Sequence, residues 1–211
     1  FGLESSLHPF IGHPSYKEIS HLPLNERLSI MRDPAFKQKI LNESPSFRED
    51  LQKAAKEQKS NKTKEEIKAE AEIGKKLISN YETQFILSDP PNYEPTREDS
   101  IAYIAEQRNQ SEEEVIYDEL IKDNGKSLIY ACFTPYENHK LEFVETFYKL
   151  KSSVAGGSDG GAHCGLICDA SMPTTNLSHW ARDRSAGNKI PLELIIRKQT
   201  KDTAETYGLF D

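Results

Sequence analysis

At 211 residues the chain is long enough for one domain with a real core. With 34 acidic against 27 basic residues and a net charge of -7, it has no basic stripe of the kind nucleic-acid binding needs. No apolar run approaches the ~18 residues of a membrane span, so neither nucleic acid nor membrane is an expected partner. Three cysteines, an odd number without a secretory pattern or a visible signal peptide, point to reduced thiols and a cytoplasmic setting. A mean hydropathy of -0.69 is polar for an α/β enzyme. A large solvated helical insert, or a piece cut from a larger fold, would each account for it.

Residues 1–14 read as a strand end and a loop, punctuated by Gly2, Pro9, Gly12 and Pro14. Ser15 to Ser20 is a short helical segment. After Pro23, Leu24, Leu28 and Met31 share one face at helical spacing. Asp33 is placed to cap the next helix, with Pro34 in its first turn and Phe36 and Ile40 inward. Residues 46–81 are charged and mostly helical. Ser46 is a cap candidate there, and Thr63-Lys64-Glu65-Glu66 has capping-box spacing. The apolar stripes are thin: Phe47, Leu51 and Ala54, then Ile67, Ala71 and Leu77 or Ile78. No heptad is sustained, so the segment reads as a solvated surface insert rather than a coiled coil.

Gln84 to Ser88 reads as a short strand ended by Asp89-Pro90-Pro91. A loop through Tyr93-Glu94-Pro95 leads to a helix from about Glu98, with Thr96 and Asp99 at capping spacing. Ser111-Glu112-Glu113-Glu114 opens a second helix, stopped by Asn124-Gly125. Leu128 to Phe133 has the apolar continuity of a buried strand. Glu137 to Lys149 is amphipathic, with Leu141, Val144, Phe147 and Tyr148 inward. Val154 to Ser158 is the last expected strand, followed by helices from about Thr174 to Ala186 and from Pro191 to Gly208. Alternation of this kind predicts an α/β fold with parallel pairing.

The segment Gly156-Gly157-Ser158-Asp159-Gly160-Gly161-Ala162-His163-Cys164-Gly165 sets one carboxylate in a turn of small residues. Glycine permits φ > 0 and close approach of a ligand. An aspartate at the C-terminal end of a strand is where many (β/α)8 enzymes keep a catalytic group. Taken by spacing alone, the plainer reading prevails: a Gly-rich turn with a capping aspartate.

The order continues with Ile167-Cys168-Asp169-Ala170-Ser171, His179-Trp180-Ala181-Arg182-Asp183-Arg184, Pro191-Leu192-Glu193 and Thr200-Lys201-Asp202-Thr203-Ala204, ending in Tyr207-Gly208-Leu209. Upstream lie Gly2-Leu3-Glu4-Ser5-Ser6-Leu7-His8-Pro9-Phe10, Leu22-Pro23-Leu24-Asn25-Glu26-Arg27 and Tyr93-Glu94-Pro95. This series closely resembles the D-aminoacylase (N-acyl-D-amino-acid deacylase) family of the amidohydrolase superfamily, over most of the chain apart from about residues 50–80. The resemblance implies the C-terminal portion of a metal-dependent (β/α)8 TIM barrel. It would be helix-rich, with a charged helical insert at about 46–81, and residues 1–211 would form one partial barrel domain. It also implies hydrolysis of an amide or cyclic-amide C–N bond, with N-acyl amino acids as the substrate class and zinc or another divalent metal as cofactor. Asp159 matches the family's aspartate at the end of the last barrel strand. The resemblance makes it both a metal ligand and the group that takes a proton from the attacking water and passes it to the leaving nitrogen. A divalent metal lowers the pKa of water toward ~7 and polarises the carbonyl, and a nearby carboxylate can then serve as base and afterwards as acid.

The departures from the family pattern are as specific as the match. The family binds its first metal through a His-x-His pair near the first strand, with further ligands from the middle strands. No His-x-His occurs in this sequence, and His8 and His13 are too far apart to make one. The chain also opens in mid-pattern at Phe1 and ends at Asp211, before the small β-domain segment that usually closes such proteins. A complete barrel takes ~250 residues. The expectation is therefore the C-terminal part of a longer enzyme that lacks most metal ligands and is inactive alone. Its open strand edges and inner face would favour self-association or pairing with the missing N-terminal half.

Around Asp159, several residues are candidates for the site. Arg182 and Arg184 suit bidentate capture of a substrate carboxylate, with ion pairing to Asp183 or Asp169 as the structural alternative. His8 lies in a loop expected at the mouth of the site and is a substrate contact or a structural residue. His163 lines the pocket or bonds to nearby backbone. Cys164 and Cys168 with His163 or Asp169 make an accidental zinc site or, more plainly, buried thiols. Ser158 orients the turn, since no Gly-x-Ser-x-Gly elbow is present. Cys132 reads as core, Trp180 as a packing anchor and His139 as exposed. A second function class fits the same scaffold: a non-catalytic half-barrel that binds a partner through the charged helix at 46–81.

Overall fold

The computed structural model describes residues 1–5, 8–46, 63–132, 136, 138–158, 160–161 and 169–210; for 64, 67, 70, 71, 73–75, 77 and 169 it describes the backbone alone. The chain divides into two compact units, Phe1–Thr134 and Pro135–Asp211. Among the described residues it is helix-rich, with a single two-stranded sheet. No described helix is long and apolar enough to cross a membrane.

The first unit opens with a 3-10 turn at Pro9–Gly12 and three short helices, α1 (Pro14–Ile19), α2 (Leu24–Met31) and α3 (Pro34–Leu41). The helical spacing after Pro23 does what it predicts: Leu28 and Met31 are buried and Leu24 packs against the same core. Asp33 accepts a hydrogen bond from the Ala35 N–H at 2.9 Å and Pro34 fills the first turn, so α3 starts as expected, with Ile40 inside. Helix α4 (Lys64–Ser79) begins at the predicted capping box, where Thr63 and Glu66 bond reciprocally. Of its apolar stripe, Ile78 is the member whose side chain is described, and it is buried. The expected start at Ser46 and the stripe Phe47, Leu51 and Ala54 run into residues outside those described.

Strand β1 (Gln84–Ile86) is shorter than expected. Thr96 and Asp99 do form a capping box, but on a 3-10 turn, Arg97–Asp99. Ser100 then caps a new start at α5 (Ile101–Arg108), accepting from the Tyr103 N–H at 3.1 Å. Asn109 ends α5 in the left-handed region with φ 53°. Ser111 caps α6 (Glu112–Leu120), which packs on α5 and buries Val115, Ile116, Tyr117 and Leu120. Strand β2 (Ile129–Ala131) pairs with β1, with Phe85 opposite Tyr130.

That pairing is antiparallel, not parallel. One helix between two strands brings the chain back to its starting end and gives a parallel pair. Here the two strands are separated by two mutually packed helices, α5 and α6, so the chain re-enters from the opposite end. Both sheet edges are closed by single pairings. Phe1 and Ile129 exchange backbone hydrogen bonds of 2.5 and 2.8 Å, although residues 1–5 form no strand, and Phe85 bridges Ser100. Within β2 only Ile129 is fully buried; Cys132, just after it, is half-buried rather than core.

In the second unit, α7 (Glu142–Lys149) is shorter than the expected helix. Leu141, Val144 and Tyr148 face the core built on Trp180, Ile190 and Ile195, but Phe147 is 55% exposed. Residues 153–158 form no strand, and Val154 is exposed. The run Leu150–Ala155 holds only Leu150, Val154 and Ala155 as apolar residues, with Lys151-Ser152-Ser153 between them, too sparse to drive burial on both faces. Helix α8 (Met172–Thr175) continues as a π-helix, Asn176–Asp183, in which the Arg184 N–H bonds the His179 carbonyl at 2.8 Å. The expected long helix at 191–208 is two, α9 (Leu192–Gln199) and α10 (Lys201–Thr206), broken at Thr200. His139 is half-buried rather than exposed, beside Tyr136.

Candidate functional site

Asp159 and His163, with Cys164 and Cys168, lie outside the described residues, so the structure tests neither their roles nor the zinc-site alternative. What surrounds them is described in part. Ser158 is half-buried. A Cβ at Gly160 would sit 3.1 Å from the Ala170 side chain and 3.5 Å from Ser158 Oγ, so the far side of the turn is tight. Among the described residues, nothing lies within 4 Å of where a Cβ would stand at Gly156 or Gly157.

Arg182 and Arg184 are two residues apart and have opposite fates. Arg182 is exposed and grips Asp183 through two hydrogen bonds of 2.7 Å, the ion-pair alternative. That pairing holds the Asp183 carboxyl below its usual range. The Arg184 guanidinium is enclosed. It donates to the Asn188 carbonyl at 2.6 Å, stacks on Trp180 at 4.4 Å and stands 3.8 Å from Glu145. A Cβ at Gly187 would come within 2.8 Å of its nitrogens, so a side chain there would push the guanidinium from its present place. Trp180 is the packing anchor expected of it, 5% exposed.

Lys198 supplies a second enclosed cation, 3% exposed. Its Nζ donates to the Leu150 carbonyl at 2.5 Å and to Ser153, with Asp202 3.7 Å away. It thereby ties α9 to the segment leading into the Gly-rich turn. The signal was present in the sequence. Lys198 falls three and four positions after the inward Ile195 and Leu194, and a charge inside an apolar stripe marks a buried, partnered ion.

The first unit holds the other polar cluster. His8 is buried, 1% exposed, and its ring meets Tyr16 edge-on at 4.7 Å. Arg27 donates to Tyr16 Oη at 2.8 Å and to the Leu3 carbonyl at 3.0 Å, and pairs with Glu4. Burial works against the guanidinium charge, yet Tyr16 and Glu4 hold its pKa above the ordinary value. Burial first, then Arg27, His13 and the amino terminus, pull His8 down to about 3. Arg27 too was legible, at i+3 in the stripe Leu24, Leu28 and Met31.

Among the described residues no three His, Cys, Asp or Glu side chains converge as metal ligands. No protein-family model matches the chain, and neither a curated protein nor a solved structure matches it.

Proposed function

We propose that the chain carries the Asp159-bearing part of a metal-dependent (β/α)8 amidohydrolase acting on the C–N bond of N-acyl-D-amino acids, in the cytoplasm. The ordered series from Gly157 through His179-Trp180-Ala181-Arg182-Asp183-Arg184 to Leu209 carries this reading. A divalent metal, zinc or a relative, would activate water and polarise the scissile carbonyl. Asp159 moves the proton from the attacking water to the leaving nitrogen. Arg182 is the one of the two arginines on the surface, and a substrate carboxylate would exchange with Asp183 on its guanidinium. Arg184, stacked under Trp180, fixes the loop that presents its neighbour.

The test is hydrolysis of N-acetyl-D-amino acids by the zinc-loaded full-length gene product. Asp159→Asn should lower kcat by about 10²–10⁴-fold, the range for general acid–base groups. Arg182→Ala should raise KM with kcat retained. The 211-residue chain, without a His-x-His pair, should be inactive alone. Turnover unaffected by Asp159→Asn sinks the reading, and full activity of the 211-residue chain sinks the view that further ligands are needed.

One observation favours the second reading, an interaction protein. Tyr207, Leu209 and Phe210 are 79, 69 and 75% exposed, an apolar run that a partner surface would cover. Size-exclusion chromatography discriminates here: assembly lost on changing these three to serine supports it, and a monomer throughout opposes it.

A further inference from the structure

We infer that the turn from His8 to His13 is an acid-released latch: it stays docked while the His8 imidazole is neutral and lets go when that ring takes a proton. The turn packs against α1 and, through Phe10, against Tyr117 of α6 at 5.3 Å between ring centroids. His8 closes its start. The residue is 1% exposed and, among the described residues, its Nδ1 has no hydrogen-bond partner.

The charges facing that ring have the wrong sign for a second cation. From α2 comes Arg27, one Tyr16 away; from the far end of the turn comes His13; from the sheet edge comes the Phe1 amino group. Tyr16 of α1 is neutral, its hydroxyl accepting from Arg27 and donating to the Leu3 carbonyl. The carboxylate of the cluster, Glu4, is held by Arg27. Glu43 and Glu113 face His13 rather than His8. A proton on His8 therefore adds an unpaired charge to an enclosed site already occupied by cations, and a new N–H without an acceptor.

The direction follows from linkage. His8 titrates at about 3 when docked, against an ordinary 6.5 when released. A histidine whose pKa is depressed in the docked state favours docking fully above the released value, and that preference is lost as pH falls toward the docked value. Between those two limits the release equilibrium rises about tenfold for each pH unit of acidification. The latch is independent of the hydrolase reading, since it concerns how the loop is held.

Native-state hydrogen exchange on the 211-residue chain tests it. The reporters are the Ile11 and His13 amides, which donate to the His8 and Phe10 carbonyls at 3.2 and 2.9 Å. The reference is the Ile190 amide of the other unit, bonded to the Trp180 carbonyl at 2.9 Å. After correction for intrinsic exchange, protection at Ile11 and His13 should fall about tenfold per unit below about pH 6 while that at Ile190 does not. In His8→Gln the fall should vanish. A flat profile, a fall shared with Ile190, or a fall that persists in His8→Gln overturns the inference. If His8→Gln does not fold, the His8 Hε1 resonance of the unaltered protein decides. A docked-state midpoint near the ordinary histidine value overturns the latch, and no titration between about pH 7 and 5 supports it.

Discussion

In Phe1–Thr134, one apolar cluster runs from Leu3 through the helices to Ile129, and the charged Arg27 sits at its margin. In Pro135–Asp211 the fully buried apolar side chains of the cluster are Trp180, Ile190 and Ile195, and two cations, Arg184 and Lys198, fill space beside them. Both units meet the same demand, closing an interior, but with different materials. Hydrocarbon packing is non-directional and tolerates small shifts, whereas an enclosed cation holds only while its carbonyls and ring stay in register. The first unit should therefore respond to lost volume, and the second to lost donors.

The sharpest way to break the contrast is Tyr117→Ala. It empties a fully buried ring and frees the Met31 carbonyl, to which the hydroxyl donates at 2.7 Å. The expected cost is about 4 kcal/mol, read by urea unfolding followed through tyrosine near-UV dichroism. Arg184→Met keeps most of the volume in the second unit and removes the donor to Asn188 and the cation over Trp180. We expect a loss of about 3 kcal/mol, reported by the fluorescence of the chain's single tryptophan. A negligible effect there would mean that hydrocarbon carries both interiors. Lys198→Met should cost about 2 kcal/mol, because carbonyls of Leu150 and Ser153 lose their donor. Ser111→Ala, which removes one cap from α6, should cost about 1 kcal/mol and leave the tryptophan signal unchanged.

The local rules of the sequence carried far in the first unit. Asp33, Thr63 and Ser111 cap where spacing places them, and Leu28, Met31 and Ile40 go inside. These outcomes depend on neighbours within one turn of helix, which a sequence displays directly. The sheet direction was legible too, but only by counting the helices between β1 and β2: an even number returns an antiparallel strand. Phe147 and Val154 were misjudged because apolar character does not say whether a partner surface exists. The π-helix at Asn176–Asp183 had no local signal; in it Trp180 stacks against the guanidinium of Arg184, which follows its last residue. Of the candidate site, Arg182 and Arg184 were found as a pair, but which of them would stay on the surface depended on that same wide turn.

The π-helix also bears on how the second unit tolerates change in chain length. Each wide turn stores a residue that an ordinary helix would not accommodate. Deleting Ser178 would let the ladder close to regular α spacing and leave the residues after it near their present places, so the guanidinium of Arg184 would stay enclosed. A one-residue deletion in α7, where no wide turn takes up the change, would instead rotate every later position of that helix by ~100°.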